Sequence, residues 1–321
     1  MSHEERAARR RSRAHRSTLL RLALFTGVLL AMVLAGLRLM PGSPFASTAA
    51  AKWGEPSSST TGSSRTTPGG RPSTPTPTPS PELPPLPVAP TDVDISKDGW
   101  WNWALMDTRT GRISGSDNMD ETNPTASMIK AWIGADYLRR AAEKGGTPSD
   151  SRLNQVSIMI RDSDNNAAQT LYELNGGTAS IKRLISICDL TDSSPAADGG
   201  WSRTALSARD TARMGACIAD GRAAGPKWTK WLLDEMRAVR GVGNFGIRKA
   251  FPAAEQKGIG IKNGWVDRQR EQRYTVNCLA IGDGWTMAVE TRYALDLGYT
   301  YGAKICEDVA RQLRAAASDA G

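Results

Sequence analysis

Apolar residues change their spacing three times along the chain, and each change predicts a different kind of segment. Residues 19–40 are apolar on every side, and their uncharged part, 22–37, is slightly short of the roughly 20 residues that span a bilayer. Residues 41–96 then offer almost nothing to bury. From residue 100 the pattern alternates. Trp101, Trp103 and Leu105 share one face, which predicts a strand over 100–106, a turn over 107–111 and a returning strand from 112.

Helical spacing follows. Met128, Ile129, Trp132, Ile133 and Tyr137 predict a helix over 127–142, and a further helix is expected over 166–174. Ile181, Leu184, Ile185 and Cys188 repeat at i, i+3, i+4 and i+7, predicting one over 180–189. Ser207-Ala-Arg-Asp210 reads as a capping box with Asp in the acidic position, ahead of Met214, Cys217 and Ile218. Residues 228–239 form another amphipathic segment. Strand spacing returns over 258–266, 272–281 and 285–293, and a helix with Ile305, Val309 and Leu313 closes the chain. A hairpin, a block of helices, three antiparallel strands and a last helix read as α+β. The first and last strands are expected to complete one antiparallel sheet.

Composition sharpens the boundaries. Thirteen of the 18 prolines fall between Pro41 and Pro90, so that stretch belongs to no packed core. The reading is a basic cytoplasmic tail over 1–18, a transmembrane anchor over 19–40, a disordered Pro/Ser/Thr-rich linker over 41–96 and a folded domain over 97–321. Arg21 and Arg38 flank the apolar run, where long side chains snorkel to the interface, and Arg9, Arg10, Arg11, Arg13 and Arg16 hold the preceding tail inside. This predicts a single-pass protein with its domain outside the cell membrane. The rival is a cleaved signal peptide and a secreted domain, with small residues 46–51 as the cleavage region. Those residues lie past Arg38 and Pro41, which favours the anchor.

The net charge of +8 raises nucleic acid as a partner, but most of the excess sits in the N-terminal basic cluster. The folded part is nearly balanced, and no nucleic-acid partner is expected. Cys188, Cys217, Cys278 and Cys306 form no C-x-x-C pair and have no histidine beside them, so neither a zinc site nor a cofactor is expected. Export permits the disulfides Cys188–Cys217 and Cys278–Cys306, while buried free thiols fit the apolar helix faces equally well.

Candidate chemistry starts from an absence. The two histidines, His3 and His15, precede the apolar run, so the exported part cannot use a Ser–His–Asp triad. A serine nucleophile there needs another base, and a lysine serves if burial or a neighbouring cation lowers its proton affinity. Ser127-Met-Ile-Lys130 supplies the pair: three residues apart at a helix start they share a face, with the serine at the positive end of the dipole. Alone this spacing is weak, since an ordinary surface helix also satisfies it. Ser163-Asp164-Asn165 also reads as a polar helix cap, and Lys262-Asn263-Gly264 as a strand with a bulge.

In this order and on these elements, the three motifs resemble the class A β-lactamases and related penicillin-binding serine enzymes, over roughly Trp100 to Arg314. The resemblance implies a β-lactamase/transpeptidase-like fold, an antiparallel sheet flanked by an all-helical block. It implies Ser127 as acylated nucleophile, Lys130 as base and Ser163 as proton relay. Asn165, Lys262, Asn263, Gly264 and Trp265 would bind substrate, with Asp164 holding its loop. The backbone N–H groups of Ser127 and Trp265 would form the oxyanion hole, and the substrate would be a β-lactam or a peptidoglycan-like amide.

Two departures accompany the resemblance. Asn263 stands where the family has Ser or Thr. The loop over 191–201, where the family carries a deacylating glutamate, has none and offers only Asp192 and Asp198. Acylation is therefore expected to outrun deacylation. The reading from another class is a non-catalytic cell-surface domain that keeps the fold for binding.

Overall fold

A computed structural model describes residues 83–319. The basic tail, the proposed anchor over 19–40 and the linker up to residue 82 lie outside the described residues. Among the described residues, no helix is long and apolar enough to cross a membrane.

The alternating tryptophans form β1 (Trp100–Asp107), which returns through β2 (Ile113–Gly115) and leads to the short β3 (Thr122–Pro124). The helical block is α1 (Lys130–Glu143), α2 (Asp150–Arg161), α3 (Asn165–Leu174) and α4 (Thr178–Ile187). After β4 (Ala205–Ser207) come α5 (Ala208–Ala219), α6 (Pro226–Arg237) and the single turn α7 (Ala253–Gln256). The chain ends in β5 (Gly260–Ile261), β6 (Gly264–Arg268), β7 (Arg273–Gly282), β8 (Trp285–Ala294) and α8 (Gly298–Asp319).

The main sheet runs β2-β1-β8-β7-β5, with β6 also on β7, and every pairing is antiparallel. β1 pairs with β8 along its whole length, Trp103 opposite Val289, so the first and last strands do complete one sheet. Side chains alternate between the two faces of a strand, which places different helices on each. Cys278 of β7 reaches α8, where it is bonded to Cys306. On the other face, Thr286 of β8 donates to the Ala212 carbonyl of α5 at 2.9 Å. A second disulfide joins Cys188, just after α4, to Cys217 of α5. All four cysteines are therefore paired.

Three of the segments read from the sequence take a different form in the structure. Helix 127–142 begins as a 3-10 turn, Ala126–Ile129, before α1 takes over at Lys130. Strand 258–266 breaks at Lys262-Asn263 into β5 and β6. The third concerns the linker: residues 83–96, assigned to it by proline density, pack on the domain. Val88 is 3% exposed within the core, the Ala89 amide donates to the Leu313 carbonyl at 2.8 Å, and Gln312 exchanges hydrogen bonds with the backbone of Asp94. Leu86, Val88, Val93 and Ile95 supply the apolar anchors that the proline content obscured.

Candidate active site

Three segments converge beside β7. The first is the 3-10 turn carrying Ser127. It is fixed at its entry by an amide pair: Asn123 of β3 donates to Asn277 Oδ1 of β7 at 2.8 Å, and Asn277 donates back to the Pro124 carbonyl at 2.8 Å. Both asparagines are fully buried, and these bonds give partners to both side-chain NH₂ groups and to Asn277 Oδ1, which burial would otherwise leave costly. Ala126 takes φ of +48°, a left-handed conformation unusual for alanine, and so turns the chain sharply ahead of Ser127.

Ser163, the second segment, precedes α3 and also has a left-handed backbone, φ +62°. Asp164 caps that helix, its carboxylate accepting from the Ala167 amide at 2.7 Å. Lys130 is fully buried and points here: its Nζ donates to the Ser163 carbonyl at 2.6 Å, to Asn165 Oδ1 at 2.7 Å and to Ser163 Oγ at 3.3 Å. Ser127 and Lys130 thus share one turn of chain. Among the described residues, however, the amine is hydrogen-bonded to Ser163 and Asn165 and not to Ser127 Oγ.

The third segment is the break between β5 and β6. Lys262, 1% exposed, donates to Ser163 Oγ at 3.0 Å and to the Asn263 carbonyl at 3.1 Å. Gly264 follows because nothing larger fits. A β-carbon there would stand 2.3 Å from the Thr125 carbonyl oxygen, 2.5 Å from the Met128 nitrogen and 2.8 Å from the Ser127 nitrogen. The glycine lets β6 abut the backbone of the Ser127 turn. Trp265 is half-buried and packs edge-on against Phe245 and Tyr299.

Asn263 differs from its expected role. It is 1% exposed and its amide nitrogen donates to the carbonyls of Gly243 at 3.1 Å and Phe245 at 2.8 Å. Both amide protons are committed to protein backbone, so the side chain fastens the 241–246 segment and has no donor left for a substrate carboxylate.

The electrostatics follow from burial. Desolvation pulls Lys130 down to about 7, with the nearby Asp164 carboxylate pulling the other way. Lys262 is driven well below its ordinary value by burial and then by the charge on Lys130. A neutral lysine has two N–H groups and one lone pair. The two shorter contacts, to the Ser163 carbonyl and Asn165 Oδ1, occupy the former, so in the neutral state the 3.3 Å contact to Ser163 Oγ falls to the lone pair of Lys130, which can accept a proton.

With this geometry in view, residues 153–315 match the sequence family described as the beta-lactamase enzyme family. The chain belongs to that family. Its fold also matches solved class A enzymes. A variant of the reconstructed last common ancestor of Gram-negative class A β-lactamases, bound to a nitrobenzotriazole transition-state analogue, aligns with TM-score 0.56 and 22% identity, covering 70% of this chain and 94% of that one. A β-lactamase from Burkholderia vietnamiensis aligns with TM-score 0.58 and 18% identity, covering 70% and 93%. Among curated proteins, one from Mycobacterium tuberculosis and its Mycobacterium bovis counterpart bear the name of a lipoprotein, LppW. They are 28% identical over 189 residues, 58% of this chain and 60% of the relatives' length.

This β-lactamase-family domain has no free carboxylate in the loop before β4. Asp192 is partly buried, which alone would raise it, but hydrogen bonds from Arg209, Ser207 and Thr191 hold it below the usual range. Asp198 is held down by Arg203, whose Nε donates to it at 2.7 Å. Both are tied ions and poor proton acceptors. The loop instead presents Trp201, whose ring centre lies 5.0 Å from Lys130 Nζ. Composition and spacing gave no signal for this residue, because the contact joins positions 71 residues apart (201 − 130).

Proposed function

We propose that this domain is a serine acyl-enzyme that opens β-lactams or peptidoglycan-like amides and releases the acyl group slowly. The observation that carries this reading is the shared hydroxyl of Ser163, which lies 3.3 Å from the buried Lys130 Nζ and accepts from the buried Lys262 at 3.0 Å. Such an arrangement is expensive to build and suits proton transfer.

In this reading Lys130, in its neutral form, draws the proton from Ser127 as its Oγ adds to the substrate carbonyl. The Ser127 and Trp265 amides, brought together by Gly264, stabilise the oxyanion. Ser163 passes a proton to the leaving nitrogen, and Lys262 orients Ser163 and restores that proton. Asn165 keeps its amide NH₂ for the substrate's acyl side chain. No carboxylate base stands ready to activate water, so the ester on Ser127 outlives its formation.

Placement outside the cytoplasm is part of the proposal. It is supported by the basic cluster before the apolar run, by the two disulfides and by the name of the mycobacterial relatives. Residues 19–40 are the proposed anchor.

The test is labelling by a fluorescent penicillin, with intact-mass measurement. Wild type should gain one adduct that Ser127→Ala does not. Equal labelling of both would sink the assignment, and neither adduct nor hydrolysed product would turn the reading to a binding domain.

A further inference from the structure

We infer that Trp201 is a positioning residue that seals Lys130 from water and thereby sets the lifetime of the acyl-enzyme. The inference rests on the acyl-enzyme reading and adds a residue that neither family nor motif assigns.

Hydrolysis of an ester on Ser127 needs water and a base. Both loop aspartates are ion-paired, and Lys262 is turned to Ser163 and the Asn263 carbonyl. Lys130 is the remaining base close to Ser163. Water oxygen would add to the ester carbonyl while its proton went to the lone pair on Lys130 Nζ. That proton would then return to Ser127 Oγ as the acyl C–O bond broke, giving a carboxylic acid. The step requires a water in contact with Nζ.

The structure denies that contact. Two acceptors, the Ser163 carbonyl and Asn165 Oδ1, hold the amine from one side, and the face of Trp201 lies over it. Lys130 is fully buried as a result. The indole is itself fixed, since its Nε1–H donates to Gln169 Oε1 of α3 at 3.0 Å, and Gln169 donates to Glu173 Oε1 at 2.8 Å. Its loop is pinned on both sides of the ring: Tyr172 donates to the Gly199 carbonyl at 3.1 Å, and the Thr125 amide donates to the Thr204 carbonyl at 2.9 Å. The same chain that precedes Ser127 therefore holds the cap in place.

Two effects of the indole oppose each other. Its face attracts an ammonium by the equivalent of about one pKa unit, which favours charge. Its bulk excludes water, and full burial moves a lysine by up to about 3–5 pKa units the other way. Exclusion is the larger effect, so removing the ring should raise the proton affinity of Lys130 and admit the missing water. Asp164 and Lys262 are the charged or titratable neighbours that bear on Lys130. They stay the same in every variant below.

The experiment compares wild type, Trp201→Ala, Trp201→Phe and Gln169→Ala. The first readout needs no activity: the titration of Lys130 followed by NMR of a ¹³C-labelled lysine, assigned through Lys130→Met. Trp201→Ala should raise the midpoint by one unit or more, Trp201→Phe should stay near wild type, and Gln169→Ala should shift it less in the same direction. The second readout is decay of the penicillin adduct by intact mass, measured above the shifted midpoint so that Lys130 is neutral in every variant; Trp201→Ala should speed it at least tenfold and Trp201→Phe should not. An unmoved midpoint with unchanged adduct decay in Trp201→Ala overturns the inference, as does equal behaviour of the Ala and Phe variants. Should Trp201→Ala fail to fold, an unmoved midpoint in Gln169→Ala overturns it instead. If no variant, wild type included, is acylated, the acyl-enzyme reading falls, while the titration still decides whether Trp201 caps Lys130.

Discussion

Lys130 and Lys262 meet on one oxygen: their Nζ atoms lie 3.3 Å and 3.0 Å from Ser163 Oγ. Two ammonium groups so close in a buried site repel each other, so at least one is neutral at neutral pH. The proposed proton transfer rests on that relationship.

Its first consequence is a pH dependence of acylation. With Lys130 held at about 7, the rate should rise about tenfold per unit below that pH and flatten above it. Stability should follow the same group. Between about 7 and the unfolded value of about 10.4 the unfolded chain binds the extra proton, so folding is favoured increasingly as pH rises. The gain in Tm from Lys130→Met should accordingly shrink between about pH 6 and pH 10. A constant gap would contradict the buried neutral amine.

Asp164 pulls Lys130 toward the charged form, and it also caps α3. Asp164→Asn keeps an oxygen for the Ala167 amide and removes the charge. The acylation limb should therefore move to lower pH with little change in Tm. A shift to higher pH would mean that the carboxylate does not act on Lys130 as described.

Gly264→Ala tests the contact between β6 and the Ser127 turn. The added carbon would sit 2.3 Å from the Thr125 oxygen, so one backbone must move. Overpacking of this kind costs about 1–3 kcal/mol in stability, and displacement of the Ser127 amide should lower acylation by about a hundredfold. Denaturant unfolding and adduct kinetics measure the two separately. Wild-type kinetics in this variant would remove the close approach from the mechanism.

Val88→Ala addresses the strap over 83–96. Val88 is 3% exposed, so truncation should cost about 1–3 kcal/mol, seen as a lower urea midpoint at unchanged slope. A domain cut at residue 97 should lose more, because the bonds of Ala89 and Asp94 to α8 go as well. Equal midpoints would show that the strap adds nothing.

Much of this was legible beforehand, for physical reasons. Period-two tryptophans can satisfy both their backbone and their burial only as a strand, and β1 follows them. Ser207 announces α5 through a local hydrogen bond to the Asp210 amide, 3.1 Å in the structure. Ser163 and Lys262 could be named from motifs, but the hydroxyl they share joins residues 99 apart, and no local pattern encodes that meeting. The same holds for Asn123 with Asn277 and for Trp201 over Lys130. Asn263 was misread because its residue type suggested a substrate donor, whereas the direction of its amide depends on where the 241–246 segment passes. The strap was hidden by proline, which signals extended chain whether or not that chain is docked.

The strap bears on how the domain would withstand being pulled. It is fastened to the far end of α8 at Leu313 and, through the Pro84 carbonyl, to Arg109 beside the β1–β2 turn. Tension arriving along the polypeptide from the N-terminal side would load these attachments and the central strands. It would reach β6 and the Ser127 turn only after the strap had peeled away. On the proposed leash, the domain could thus be tugged without disturbing the register of the candidate site.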